Sequence, residues 1–247
     1  MEHGGHRQRI RERFMQEKLT TFAPHEALEM LLYYAIPRRD TNPLAHRLIE
    51  HFGSFQAVLE ADTAALARVE GMGEQAAVLI SMLLPLMRIY LTEKWAPKQP
   101  IRDYAQIDRY CAALFTGASE EQAYVLALDA KLRLKGCELL SEGSAASVEV
   151  NPRRLIAVLL KYGATGAVVT HNHLSDSAAP SMEDADMTKM LTDLLEKMQI
   201  RLYDHIIVAA SEIFSFSRNK TVRIERLTEP PAAKHIAGDG EQAYSEV

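Results

Sequence analysis

The segment that most constrains this chain is short. Ala167-Val168-Val169-Thr170 is an apolar, β-prone run that passes directly into His171-Asn172-His173. Side chains on an extended segment alternate between faces, so two histidines one residue apart point the same way. Seven residues, 174–180, let the chain turn back, and Pro180-Ser181 then opens a helical pattern with Asp184 in its first turn. A buried strand followed by a helix is the building unit of an α/β domain. The second half of the chain is therefore expected to form a mixed sheet covered by helices.

Two imidazoles and one carboxylate, with a position left for water, are the donor set of a catalytic zinc site rather than a closed structural one. Zinc in such a set lowers the pKa of its water from about 15.7 to about 7. Hydrolysis also needs a base for the water's proton and a donor for the developing oxyanion. Ser181 stands near enough in sequence to be that donor, whereas spacing alone does not single out the base. Ordinary roles compete for each residue. With nine histidines in the chain, a His-x-His pair at a strand end can arise by chance. Ser181 and Asp184 also make the Ser-x-x-acid pattern of a capping box, and an acid suits a first helical turn. Capping and ligation are compatible. All four residues at this spacing favour Zn²⁺ ligation by His171, His173 and Asp184.

The rest of the chain divides at Trp95-Ala96-Pro97-Lys98-Gln99-Pro100, where periodicity stops. Before it everything reads as helix: 24–35, 42–52, 55–60, 63–69 and 74–91. After it come a helix at 103–114, a hairpin of strands at 122–129 and 132–140, a short strand at 148–150, and a helix from Pro152 to Tyr162. The histidine-bearing strand, a helix at 181–197 and a strand at 201–209 complete the pattern. Asp204-His205 lie within that last strand, where they read as structural or as support for the ligands. Asp176 reads as a solvated loop acid. From about Lys220 the chain turns polar, with Pro230-Pro231 and Gly238-Asp239-Gly240, and a flexible tail is expected. The resulting expectation is a helical domain over 1–96, an α/β domain over 101–218 and a tail over 219–247.

Composition narrows the class. Of 247 residues 47% are hydrophobic and 25% charged, enough for a sizeable core. A net charge of −5 argues against wholesale wrapping in nucleic acid but leaves room for a local basic patch. Cys111 and Cys137 lack CxxC spacing, which points to a reducing, cytoplasmic setting. No secretory signal and no membrane-spanning run of about 18 apolar residues are read here.

His-x-His, seven residues, Ser-x-x-Asp resembles the JAMM (MPN-plus) metal motif. More narrowly, residues 6 to 218 resemble the bacterial RadC family through LLYYAIPRRDTNPLAHRL, VEGMGEQAA, LDAKLRLKGCELLSEGS, NPRRL, THNHLSDSAAPSMEDAD and DHIIV. The resemblance implies a cytidine-deaminase-like JAMM/MPN domain behind a small all-α domain. It also implies amide or peptide bond hydrolysis at zinc, a peptide or protein substrate, and an association with DNA repair. By the same match Glu138, five residues before Gly143, is the acid/base that activates water; Glu142 is its rival by position. RadC proteins usually read HNHPSGDPxPS, whereas this chain carries Leu174-Ser175-Asp176-Ser177-Ala178-Ala179 before Pro180. That departure bears on loop rigidity and substrate approach and leaves every ligand in place. The letters His-Asn-His do not make an HNH nuclease, whose residues are far apart in sequence. The His-x-Glu and Pro-Cys-x-x-Cys of zinc deaminases do not occur.

In the first half, Val69-Glu70-Gly71-Met72-Gly73-Glu74-Gln75-Ala76-Ala77 resembles the hairpin of a helix-hairpin-helix module. Two glycines let backbone amides approach a phosphate beside a helix N-terminus, though Glu70 and Glu74 would repel one. His6, Arg7, Arg9, Arg11 and Arg13 either add charge for DNA or form a solvated helix face. The alternative to an enzyme is thus a DNA-associated binding protein with a structural or vestigial metal, and a nuclease on the same metal is a third reading.

Overall fold

The computed structural model describes residues 3–143 and 150–224. The expected strand at 148–150 falls largely outside the described residues, as does the tail beyond 224. The chain forms two compact units, Met1–Met87 and Arg88–Val247, and the division falls inside a helix ahead of the Pro97–Pro100 stretch.

The first unit is helical: α1 (His3–Glu17), α2 (Pro24–Ala35), α3 (Asn42–Phe52), α4 (Phe55–Glu60), α5 (Thr63–Arg68) and α6 (Glu74–Ser81). Local chemistry sets the boundaries. Pro24 occupies the first turn of α2, where a missing N–H costs nothing. Ser54 and Asp62 cap α4 and α5 by accepting from Ala57 and Ala65 N–H. Gly53, at φ 91°, ends α3 in the left-handed conformation that glycine adopts freely. Leu28 and Leu32 on α2, Leu48 on α3, Leu66 on α5 and Ile80 on α6 are fully buried together. The expected single helix over 74–91 is interrupted at Met82 and resumes as α7 (Leu83–Trp95). Pro85 explains this, because it lacks the N–H that would bond the Ser81 carbonyl. By length and composition alone, the run Glu74–Trp95 is apolar enough to cross a membrane.

The second unit contains α8 (Tyr104–Leu114), β1 (Glu121–Leu128), β2 (Leu134–Gly143), α9 (Pro152–Lys161), β3 (Gly166–Asn172), α10 (Met182–Lys197), β4 (Arg201–Val208), β5 (Glu212–Ser215) and β6 (Lys220–Arg223). The six strands form one sheet in the order β2-β1-β3-β4-β5-β6. Only β3 and β4 run parallel, joined by α10 as the crossover such a pair requires. Lys220–Arg223, assigned to the tail by composition, instead adds edge strand β6 to β5. Short exposed edge strands carry little apolar signal.

Both faces of the central strands are covered. Val125, Val169, Leu155, Leu159, Leu191 and Leu195 pack on the α9/α10 face, and Ile107, Leu114, Leu126, Val168 and Ile206 on the α8 face. Every residue of β3 is buried, as for a central strand sandwiched between helices. His171 lies near the C-terminal end of that strand, in register with Ala123 of β1 and Ile207 of β4.

Candidate metal centre

The site is built from the end of β3 and the start of α10. His173 N–H donates to the Val208 carbonyl at 2.8 Å, so the extended backbone that orients both histidines continues one residue past β3. Asn172 faces the other way. Its side chain accepts from Gln122 N–H (2.7 Å) and donates to the Glu120 carbonyl (3.1 Å), tying the strand end to β1. Ser181 caps α10: its Oγ accepts from Asp184 N–H (3.0 Å) and donates to Asp184 Oδ2 (2.7 Å), while Ser181 N–H donates to the same oxygen (2.8 Å). The capping box thus aims the Asp184 carboxylate at the strand end.

His171, His173 and Asp184 are brought together. His171 Nε2 lies 3.0 Å from Asp184 Oδ1, His173 Nε2 3.3 Å from Oδ2, and the two Nε2 atoms 3.1 Å apart. His171 and Asp184 are buried. These separations match the roughly 3.3 Å between donors that share a tetrahedral zinc at ligand distances of about 2.0–2.1 Å. Among the described residues this is the only group of three or more His, Cys, Asp or Glu side chains able to hold a metal ion.

The hydrogen positions sharpen the fit. A main-chain carbonyl only accepts. His173 Nδ1 lies 3.3 Å from the Ser177 carbonyl, so Nδ1 carries the hydrogen and Nε2 a lone pair. On the far side, Thr188 Oγ1 donates to the Asp184 main-chain carbonyl at 2.6 Å. Its one hydrogen is thereby used, so His205 Nδ1, 2.6 Å away, must donate to it. His205 Nε2 then accepts from His171 Nδ1 at 2.9 Å, leaving a lone pair on His171 Nε2 as well. With both rings neutral in these tautomers, two lone pairs face the Asp184 carboxylate. A cation is the partner that such a set fits.

Electrostatics agree. Burial opposes ionisation of Asp184, but the imidazoles of His171 and His173 beside it, with the Ser181 hydroxyl and N–H, outweigh it and hold the carboxyl far below the usual range. The same carboxylate raises the pKa of His173. Burial, with His171 beside it, pushes His205 down to about 3, so it is neutral. The site draws positive charge to itself.

Glu138 is placed differently. Its backbone pairs with Val125 of β1, which in turn pairs with Val169, one row of like-facing residues away from the Ala123–His171 row. The Glu138 side chain is on the triad's face of the sheet, but among the described residues its hydrogen bonds go to Lys161 Nζ (2.5 Å) and Tyr162 OH (2.8 Å). Gly136 makes this possible, because a Cβ there would meet the Tyr162 ring at 2.3 Å. The Lys161 bond first, and then that of Tyr162, lowers the Glu138 pKa. Its rival Glu142 accepts from Gln122 Nε2.

Of three supporting residues, Thr188 and Glu212 carry no signal in the sequence, whereas His205 takes the supporting role read for the Asp204-His205 pair. The strand splits that pair: Asp204 turns away and accepts from Ser215 Oγ and Ser217 N–H. Glu212 accepts from Ala178 N–H (2.9 Å) and Ser177 Oγ (3.2 Å), and Ala178 is fully buried beside Ile207 and Phe214. The divergent loop is thus tethered without its prolines and glycine. Asp176 is exposed, as expected.

A donor set able to hold a metal ion at the end of a central strand, completed by the first turn of a crossover helix on a mixed sheet, defines a class, and comparison with known proteins agrees with it. The family model described as RadC-like JAB domain matches residues 101–221. A UPF0758 protein of Ruegeria pomeroyi is 33% identical over 211 residues, covering 85% of this chain and 94% of that protein. The chain belongs to the RadC family.

Proposed function

We propose that this chain is a zinc-dependent hydrolase of amide or peptide bonds, acting in the cytoplasm on a peptide or protein, with a JAMM/MPN domain of the cytidine-deaminase-like type. The observation that carries this is the convergence of His171 Nε2, His173 Nε2 and the Asp184 carboxylate, 3.0–3.3 Å from one another at the end of β3. Zinc bound there would acidify water and polarise a carbonyl. Glu138, ionised at neutral pH and on the same face, is the base that takes the water's proton. Ser181, the N-cap of α10, would turn its hydroxyl from Asp184 Oδ2 to stabilise the developing oxyanion. Cleavage of a peptide and isopeptide library, followed by mass spectrometry, tests this. Activity should require zinc, cease in Asp184→Ala and fall steeply in Glu138→Gln. Equal cleavage by Asp184→Ala would overturn it.

A second reading is that the helical unit binds DNA, which would fit an association with DNA repair. It is favoured by the turn between α5 and α6, where Gly71, at φ 93°, lies close to the guanidinium groups of Arg39 and Arg47. Backbone contacts to phosphate would make duplex binding salt-dependent. If such binding survives in Asp184→Ala while no hydrolysis is found in the wild type, the metal is structural and this reading prevails.

A further inference from the structure

Behind the metal ligands runs a closed chain of hydrogen bonds: His171 Nδ1 to His205 Nε2, His205 Nδ1 to Thr188 Oγ1, and Thr188 Oγ1 to the main-chain carbonyl of Asp184. It starts on one ligand and ends on the backbone of another, and the acceptor-only carbonyl gives it a single direction. The His205 ring is fully buried and stacked on Phe216 at 4.9 Å with 3° between planes, which fixes its plane, while the bonds to His171 and Thr188 fix which way it faces. We infer that His205 and Thr188 are positioning residues for the metal site: they hold His171 in the tautomer that turns its Nε2 lone pair inward, and tie that ligand to the helix carrying Asp184. The inference rests on the metal reading above.

The physical reason is specific. A histidine ligates through whichever ring nitrogen lacks hydrogen, and the partner of the other nitrogen decides which that is. A carboxylate or carbonyl usually plays this part. Here a histidine does, and a histidine can accept or donate at Nε2. Thr188 removes that ambiguity. Because its hydroxyl hydrogen is committed to the Asp184 carbonyl, it forces His205 to donate at Nδ1 and so to accept at Nε2.

The test uses the full-length chain and zinc alone. His205→Phe keeps the ring stacked on Phe216 and removes both nitrogens; Thr188→Val keeps the shape and removes the hydroxyl; Thr188→Ser restores it. Zinc affinity is measured by competition with a chromophoric chelator, and the His171 tautomer by long-range proton–nitrogen correlation in cation-free protein. Loss of such outer partners costs roughly 10–100-fold in affinity, so His205→Phe should fall in that range. Thr188→Val should weaken binding less, and Thr188→Ser should bind as the wild type does. Wild-type His171 should be hydrogenated at Nδ1 alone, with a mixture in both weakened variants. If His205→Phe fails to fold, Thr188→Val and its serine rescue decide. Variants that match wild-type affinity and tautomer overturn this inference alone. A wild-type chain that binds no zinc removes the metal reading, and the inference with it.

Discussion

Two buried carboxylates, one in each unit, invite comparison. Glu29 on α2 is 1% exposed and accepts from Tyr33 OH (2.5 Å), Asn42 Nδ2 (2.8 Å) and His6 Nε2 (2.9 Å). Asp184 on α10 is 7% exposed and accepts from the N–H and O–H of Ser181, but the imidazoles that flank it turn lone pairs inward. Both are buried acids with several polar neighbours. At Glu29 the phenol and the amide each bring a hydrogen, and the carboxylate knits helices together. At Asp184 hydrogens are missing where they would be needed. Burial and partner number do not separate a structural acid from a metal ligand; a count of hydrogens does.

That contrast can be broken most sharply at the metal. His171→Ala and Asp184→Ala should each lose stoichiometric zinc in calorimetric titration while the far-ultraviolet circular dichroism stays that of the wild type. Glu29→Leu should do the reverse. It leaves Tyr33 and Asn42 donors unpaired, at about 1–3 kcal/mol for each, and urea unfolding should show the loss with zinc binding intact. A Glu29→Leu chain as stable as the wild type would deprive Glu29 of its structural role. Gly136→Ala comes next. Pressing a methyl group into the Tyr162 ring should cost about 1–3 kcal/mol and loosen the hold on Glu138, again without change in zinc affinity.

The smallest effect is in the helical unit. Arg13 on α1, with the Ala23 N–H, lowers the Glu26 pKa from 4.5 to about 2. A depressed carboxyl stabilises the fold above its unfolded pKa and loses that contribution as pH falls through the folded one. The urea midpoint should therefore exceed that of Glu26→Gln at pH 7, and the gap should close between about pH 4.5 and 2. Both side chains are partly exposed, so the gap is worth no more than about 1 kcal/mol. A gap that stays constant across that range would exclude the pair as its cause.

Much of this was legible in the sequence because it is local. The strand into His171, the seven-residue return and the Ser181 cap depend on residues close together in the chain, and the helices of the first unit follow from their own local apolar spacing. The interruption at Met82 was also local, but the apolar density of 74–91 masked the effect of Pro85. What escaped is nonlocal. Glu212 and the 174–179 loop meet only through the β4–β5 turn, and the His171–His205–Thr188 chain joins three elements that spacing cannot align. β6 escaped for another reason: an exposed edge strand of four residues looks like polar tail. Glu138 was reached by resemblance, and its partners Lys161 and Tyr162 come from the end of a helix twenty-odd residues away.

The most direct measurement is anomalous scattering at the zinc edge from crystals of the wild-type chain supplied with zinc. We expect one strong peak per chain, within ligand distance of His171 Nε2, His173 Nε2 and the Asp184 carboxylate. A peak elsewhere, or none with those three side chains ordered, would contradict a metal centre at the end of β3.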